Sequence, residues 1–208
     1  MASVCGRFLS CLTLLKQVFT AGTVFPGMAP AYKPAMHSSN TAMTLADFTS
    51  AGLIIPHLRG QDVATVIQEL SQAMQRERRV PDLLPFYHAA LNREFLVSTD
   101  MEAGMAFPHA RLPGLQELCF ALGRSGETLT WGTRAARPIR LVFLIAVPAT
   151  DSIQYLLLIS GLARLAKDSR LVEKLHAAQD TAQILEVLQQ VKLRNSLTPD
   201  TLDKAINR

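Results

Sequence analysis

The segment "RPIRLVFLIAVP", residues 137–148, restricts the fold more than any other part of the chain. From Leu141 to Val147 every side chain is apolar. A strand with one wet face alternates polar and apolar residues, so an unbroken run demands burial on both faces. The run is short, lies between prolines and is rich in β-branched residues, which makes it a strand and not a helix. It belongs inside a sheet covered by helices on both sides.

The flanking segments supply those covers. "DVATVIQELSQAMQRE" (62–77) places Val63, Val66, Ile67, Leu70 and Met74 on one helical stripe. Pro81 suits the first turn of a second helix running through Leu91. Beyond the long strand, "TDSIQYLLLISGLARLAKD" is expected to form a helix capped by Asp151, with Gln154 completing a capping box. Apolar residues cover most of its circumference, which predicts a central, buried helix. "SRLVEKLHAAQ" and "DTAQILEVLQQV" add two more, the latter starting at Asp180. "LTPDTLDKAIN" is expected to close the chain as a short helix, with Thr198 capping and Pro199 entering. Short strands are expected at "GLIIPH" (52–57), "GMAF", "LCFALG" and "LTW", with Ser125 of "GRSGE" in a turn. Helices, then strands, then helices predict a three-layer α/β/α sandwich, a central sheet flanked by helices on both faces.

Residues 1–42 are a different material: an apolar stretch, then a segment rich in Pro, Ala and Ser. The start loosely resembles a secretory signal, but Lys16 and Gln17 interrupt an apolar run too short to span a bilayer. A disordered or non-structural extension is expected there, followed by one domain over 43–208. The extension holds Arg7, Lys16 and Lys33 and no acid, so most of the formal +4 charge lies in it. The body is left with 18 basic against 17 acidic residues, which argues against nucleic acid as a partner. Cys5, Cys11 and Cys119 form no spaced framework, as suits a reducing compartment without disulfides or structural zinc.

One small constellation resists a purely structural explanation. In "GMAFPHARLPG" (104–114), His109 follows a proline with no carboxylate or cysteine within four positions on either side. The chain has no zinc-binding H-E-x-x-H, no phosphate-binding G-x-x-x-x-G-K-[ST] and no dinucleotide fingerprint after a strand. His37, His57, His88 and His176 have no motif around them and are assigned to structure or surface.

The wider segment "REFLVSTDMEAGMAFPHAR" (93–111) resembles the enzyme IIA domain of the fructose–mannitol class of bacterial phosphotransferase systems, including the nitrogen-regulatory branch. Arg93 and Glu94, Ser98 and Thr99, then Gly104, Ala106, Pro108, His109 and Ala110 stand in the order and spacing of the family pattern. "LVFLIAVP" and "YLLLISGLARLAKD" resemble the family's Pro-terminated strand and leucine-rich helix. The likeness covers about residues 43 to 191.

The resemblance implies that His109 is a phosphoryl acceptor, attacking through Nε2. It would take the group from an HPr-like phosphocarrier protein and pass it to a cysteine of an enzyme IIB domain. Arg93 is implied as the charge clamp, with Ser98 and Thr99 as supporting donors. Such a relay needs no cofactor, no metal and no separate base, because a neutral imidazole offers one nitrogen while the other keeps its proton. The resemblance also implies a mixed central sheet and a cytoplasmic phosphotransferase component that is not a stand-alone turnover enzyme, with any membrane-spanning permease a separate chain. One position departs from the pattern: where the family has a second histidine at the start of the long helix, this chain has Tyr155. A tyrosine hydroxyl also donates a hydrogen bond, but it stays neutral and reaches further. The departure keeps a second function in view, a regulatory interaction protein that retains the fold without turnover.

Overall fold

The computed structural model describes residues 42–101, 103–132, 138–150 and 153–193. The expected amino-terminal extension to residue 41, the Asp151 cap and the helix at Thr198 and Pro199 lie outside the described residues.

The long strand is where the sequence places it. It is β6, Ile139–Pro148, the sixth strand in chain order, and it sits inside the sheet. Its side chains divide by alternation. Leu141, Phe143, Ile145 and Val147 face one apolar layer, while Val142, Leu144 and Ala146 face the other. Before it run β1 (Ile54–Ile55), β2 (Asp100–Met101), β3 (Met105–Ala106), β4 (His109–Leu112) and β5 (Cys119–Leu129). The path across the sheet is β1-β5-β6-β3-β2, with β4 also on β6. β1 runs parallel to β5, and β3 and β4 run parallel to β6. β5 with β6 and β2 with β3 are antiparallel. The sheet is mixed, as expected.

Helices α1 (Val63–Arg76) and α2 (Leu83–Leu96) cover one face. Helices α3 (Ile153–Lys167), α4 (Ser169–Ala177) and α5 (Thr181–Gln189) cover the other. All five stripe residues of α1 are buried against the sheet. Asp62 caps that helix, its carboxylate accepting from Thr65 N at 3.0 Å. Asp168 and Asp180 cap α4 and α5 in the same way. A side-chain acceptor on the otherwise orphaned first-turn amides is worth about 1 kcal/mol per helix.

Several local expectations are corrected. α2 begins at Leu83 and runs to Leu96, later and longer than expected. Pro85 is tolerated in its first turn, where an N–H has no intrahelical acceptor. Ser125 is not in a turn, since β5 runs through "GRSGE" with Arg124 and Ser125 both buried. The strand absorbs Gly126 by a register irregularity between Arg124 and Leu129. Of "LTW", Leu129 ends β5 and Thr130 forms only an isolated bridge to Asp62, so no separate strand is found there. α3 buries Tyr155, Leu158, Leu162 and Leu165 but leaves Ile153 and Leu156 exposed, so it is an outer layer and not a central helix.

β3 and β4 continue one another along the same side of β6. Met105 and Ala106 pair with Leu141 and Val142, and His109 pairs with Ile145 in the same register. The break falls at Phe107–Pro108. Proline has no N–H to give the ladder, yet its carbonyl still accepts from Ile145 N at 2.9 Å. β2 covers the outer side of β3, while among the described residues β4 pairs with β6 alone. The sheet edge opens where His109 stands.

Candidate functional site

The site is built where three elements meet: the end of α2, the start of β4 and the first turns of α3. His109 is the first residue of β4, and its ring is partly buried. Nδ1 lies 3.1 Å from the carbonyl oxygen of Phe107. A carbonyl only accepts, so Nδ1 carries the proton and Nε2 keeps its lone pair.

Burial holds the imidazole below its ordinary value of 6.5. The nearby Arg93 and Arg111 guanidiniums push in the same direction, while the Phe107 bond and the Glu94 carboxylate pull against it without prevailing. The neutral, nucleophilic form is therefore favoured at neutral pH. Half-buried His176 on α4 is also lowered, by burial and by Arg140 and Arg124. A histidine lowered in the folded state binds fewer protons there than in the unfolded chain. Stability should therefore fall as pH drops through and below 6.5, and the loss should level off once each folded-state value is passed. Denaturant midpoints at about pH 7.5 and about pH 5.5 check this; the His109→Asn and His176→Asn variants should show a smaller drop than the parent chain. An equal drop in all three would contradict the assignment.

Arg93 lies in the last turn of α2, half-buried, with Nη1 donating to Val97 O at 2.9 Å. Among the described residues it makes no ion pair, so most of its N–H donors remain available beside the ring. Tyr155 is buried in the first turn of α3, its ring centroid 6.3 Å from that of His109 and tilted by 49°. The position singled out from sequence thus faces the histidine across the layer boundary.

The Ser98 and Thr99 hydroxyls are engaged with other partners. Ser98 Oγ lies 2.6 Å from Asp100 Oδ1 and 3.1 Å from Glu94 Oε1, and its single hydrogen can serve one of them. Thr99 Oγ1 donates to Glu94 Oε2 at 2.5 Å and accepts from Phe107 N at 3.1 Å. Any donation toward a group on His109 would have to come at the expense of these bonds.

Two further residues join the site without having been singled out from the sequence. Arg111, two residues along β4, donates from Nη1 to the carbonyls of Pro148 (3.2 Å) and Ala149 (3.0 Å). Its Cζ lies 5.7 Å from the Tyr155 ring centroid, a cation–π distance. The "P-H-A-R" run on an edge strand was the available signal for it. Glu94 is buried and anchors the loop after α2. Its Oε1 accepts from Thr99 N (2.8 Å) and from Trp131 Nε1 (2.9 Å). No group of metal-ligating side chains is present among the described residues, and no helix there is long and apolar enough to cross a membrane.

The site thus offers a neutral imidazole influenced by two nearby guanidiniums, at the open edge of a helix-covered mixed sheet. The chain belongs to the EIIA type-2 family: residues 47–191 match the model for "Phosphoenolpyruvate-dependent sugar phosphotransferase system, EIIA 2". Among curated proteins it is 29% identical over 151 residues to a nitrogen regulatory protein of Bradyrhizobium diazoefficiens, covering 70% of this chain and 95% of the relative. It is 24% identical over 148 residues to the fructose-specific EIIABC component of Bacillus subtilis, covering 71% of this chain but 23% of that larger protein. Among solved structures it resembles the nitrogen regulatory protein IIA-Ntr of Neisseria meningitidis, with a TM-score of 0.61 and 20% identity over 69% of this chain and 98% of that one. It also resembles Escherichia coli enzyme IIA mannitol, solved in complex with phosphorylated enzyme IIB mannitol, with a TM-score of 0.58 and 20% identity over 68% and 96% of the two chains. These two likenesses show the fold.

Proposed function

We propose that this chain is a cytoplasmic phosphohistidine carrier, accepting a phosphoryl group on His109 Nε2 from an HPr-like phosphocarrier protein. The group then passes to a cysteine of an enzyme IIB domain, or the phospho-state itself signals to a regulated protein. The observation that carries the reading is the bond from His109 Nδ1 to the Phe107 carbonyl, which leaves Nε2 as the free nucleophile beside Arg93. In the transfer, the N–P bond of the donor phosphohistidine breaks as a new N–P bond forms at Nε2. The donor imidazole leaves with the electron pair, and the Nδ1 proton of His109 stays in its hydrogen bond. The transferring group carries about two negative charges on its equatorial oxygens. Arg93 is positioned to share that charge from a fork of donors.

A protein partner also suits the rim. Phe95, Leu96 and Val97 follow Arg93 on the surface, and Ile153 and Leu156 flank Tyr155, all of them exposed. Apolar side chains grouped around a reactive centre favour a docking macromolecule over a free sugar. Tyr155 in place of a second histidine favours the regulatory branch. Incubation with phosphoenolpyruvate, enzyme I and HPr, followed by intact-mass measurement, tests the proposal. One added, acid-labile phosphoryl group is expected. No gain in mass would leave the second reading, a binding protein without turnover.

Tyr155 gives a sharper test. A hydroxyl bonded to a charged phosphoryl oxygen contributes about 1.5–3 kcal/mol. Tyr155→Phe keeps the buried ring and removes that bond, so phospho-His109 should hydrolyse faster. Tyr155→His should lengthen its life again. Equal half-lives for the three proteins would reduce Tyr155 to a packing residue.

A further inference from the structure

We infer that Glu94, which makes no hydrogen bond to His109, is a positioning residue that sets which nitrogen of His109 is the nucleophile. The inference rests on the reading of His109 as acceptor and concerns how the fold prepares that ring.

In water a neutral histidine prefers its proton on Nε2. That tautomer leaves the lone pair on Nδ1, which here faces a carbonyl oxygen and not the open edge of the sheet. The fold must reverse the preference, and the Phe107 carbonyl is what reverses it. What aims that carbonyl can be followed residue by residue. Thr99 has one hydroxyl hydrogen, which Glu94 Oε2 receives at 2.5 Å. The Thr99 oxygen is then obliged to present a lone pair, and it accepts from Phe107 N at 3.1 Å. The same carboxylate receives Thr99 N and Trp131 Nε1 on its other oxygen. Glu94 is thus held by donors alone, and among the described residues it forms no ion pair.

On the far side, Pro108 O is fixed by Ile145 N at 2.9 Å. Pro108 also keeps the residue before it out of the helical region. The Phe107 ring packs on Phe143 at 5.4 Å between centroids. Residue 107 is therefore pinned at its amide, its ring and the following carbonyl, and its own carbonyl is directed at Nδ1. Of these anchors, the one at the amide depends on Glu94, because a threonine hydroxyl with nothing to receive its hydrogen is free to turn it toward Phe107 N and repel it.

The test reads the tautomer directly, by long-range proton–nitrogen correlation on nitrogen-labelled, unphosphorylated protein. The parent chain should show His109 in one form, protonated at Nδ1. Glu94→Gln and Thr99→Val should each show a mixture of the two tautomers, and each should accept phosphate from HPr slower by on the order of tenfold. Thr99→Ser, which keeps the hydroxyl, should restore the single form. A pure Nδ1–H tautomer in both Glu94→Gln and Thr99→Val would overturn the inference. If Glu94→Gln fails to fold, the Thr99 pair decides in the same way. The tautomer is read before any phosphate is offered, so a chain that holds it but never gains phosphate would defeat the carrier reading alone.

Discussion

His109→Ala should abolish acid-labile phosphorylation by HPr while leaving the fold intact. The side chain is partly buried at the start of β4, and among the described residues its ring is hydrogen-bonded to a neighbouring peptide oxygen, so its loss opens little of the core. No other histidine among the described residues combines a carbonyl-held nitrogen with adjacent guanidiniums and an open edge. Arg93→Ala should retain the label but slow its arrival by roughly a hundredfold, the usual cost of removing one charge-stabilising donor from a reacting centre. The variant also gives up the bond to Val97 O at the end of α2, so circular dichroism should accompany the kinetics. Phosphate retained on His109→Ala would place the acceptor elsewhere and dismantle the proposed site.

Gly104→Ala should be the most damaging single-methyl change near the site, costing on the order of 2–5 kcal/mol in denaturant unfolding. Gly104 has φ +74°, where an L side chain is strained, and an added Cβ would meet Pro138 O at 2.8 Å. A backbone oxygen cannot swing aside as a side chain can. The same residue donates to Met101 O at 3.1 Å, and its carbonyl accepts from Arg140 N at 3.1 Å. It is the turn by which β2 hands the chain to β3, and it brings β3 onto β6. Any shift there travels three peptides further to Phe107 and then to His109. A loss below about 1 kcal/mol would show that the turn can relax without strain.

The layers of the molecule were legible because their signals are local. The apolar run of β6, the α1 stripe and the aspartate caps are each visible within a dozen residues, and together they imply a covered sheet. The mixed character of that sheet and the importance of His109 came with the family resemblance. β4 was hidden for a physical reason: "HARL" is short and lies between prolines, and it is a strand because β6 lies beside it in register. Glu94 read as part of a pattern without a role, since an acid at a helix end is ordinarily solvated. Its burial depends on Trp131, thirty-seven residues later. Arg111 reads as a surface charge until topology sets Pro148, Ala149 and Tyr155 around it. Ser125 misled in the opposite direction, its flanking glycines announcing a turn where β5 simply runs on.

The peptide oxygen opposite Nδ1 also bears on how much energy a phosphoryl group would hold on this ring. A carboxylate in that place would draw the Nδ1 proton toward itself and make the imidazole more basic. A more basic ring clings to phosphorus and makes a poorer leaving group. A carbonyl orients the ring with a weaker upward pull on its basicity, and burial outweighs that pull. On the proposed reading, a phosphoryl group on Nε2 would then be bound to a weakly basic ring, which is the better leaving group. The carrier would hold the group in readily transferable form, and the partner that docks would set where it goes.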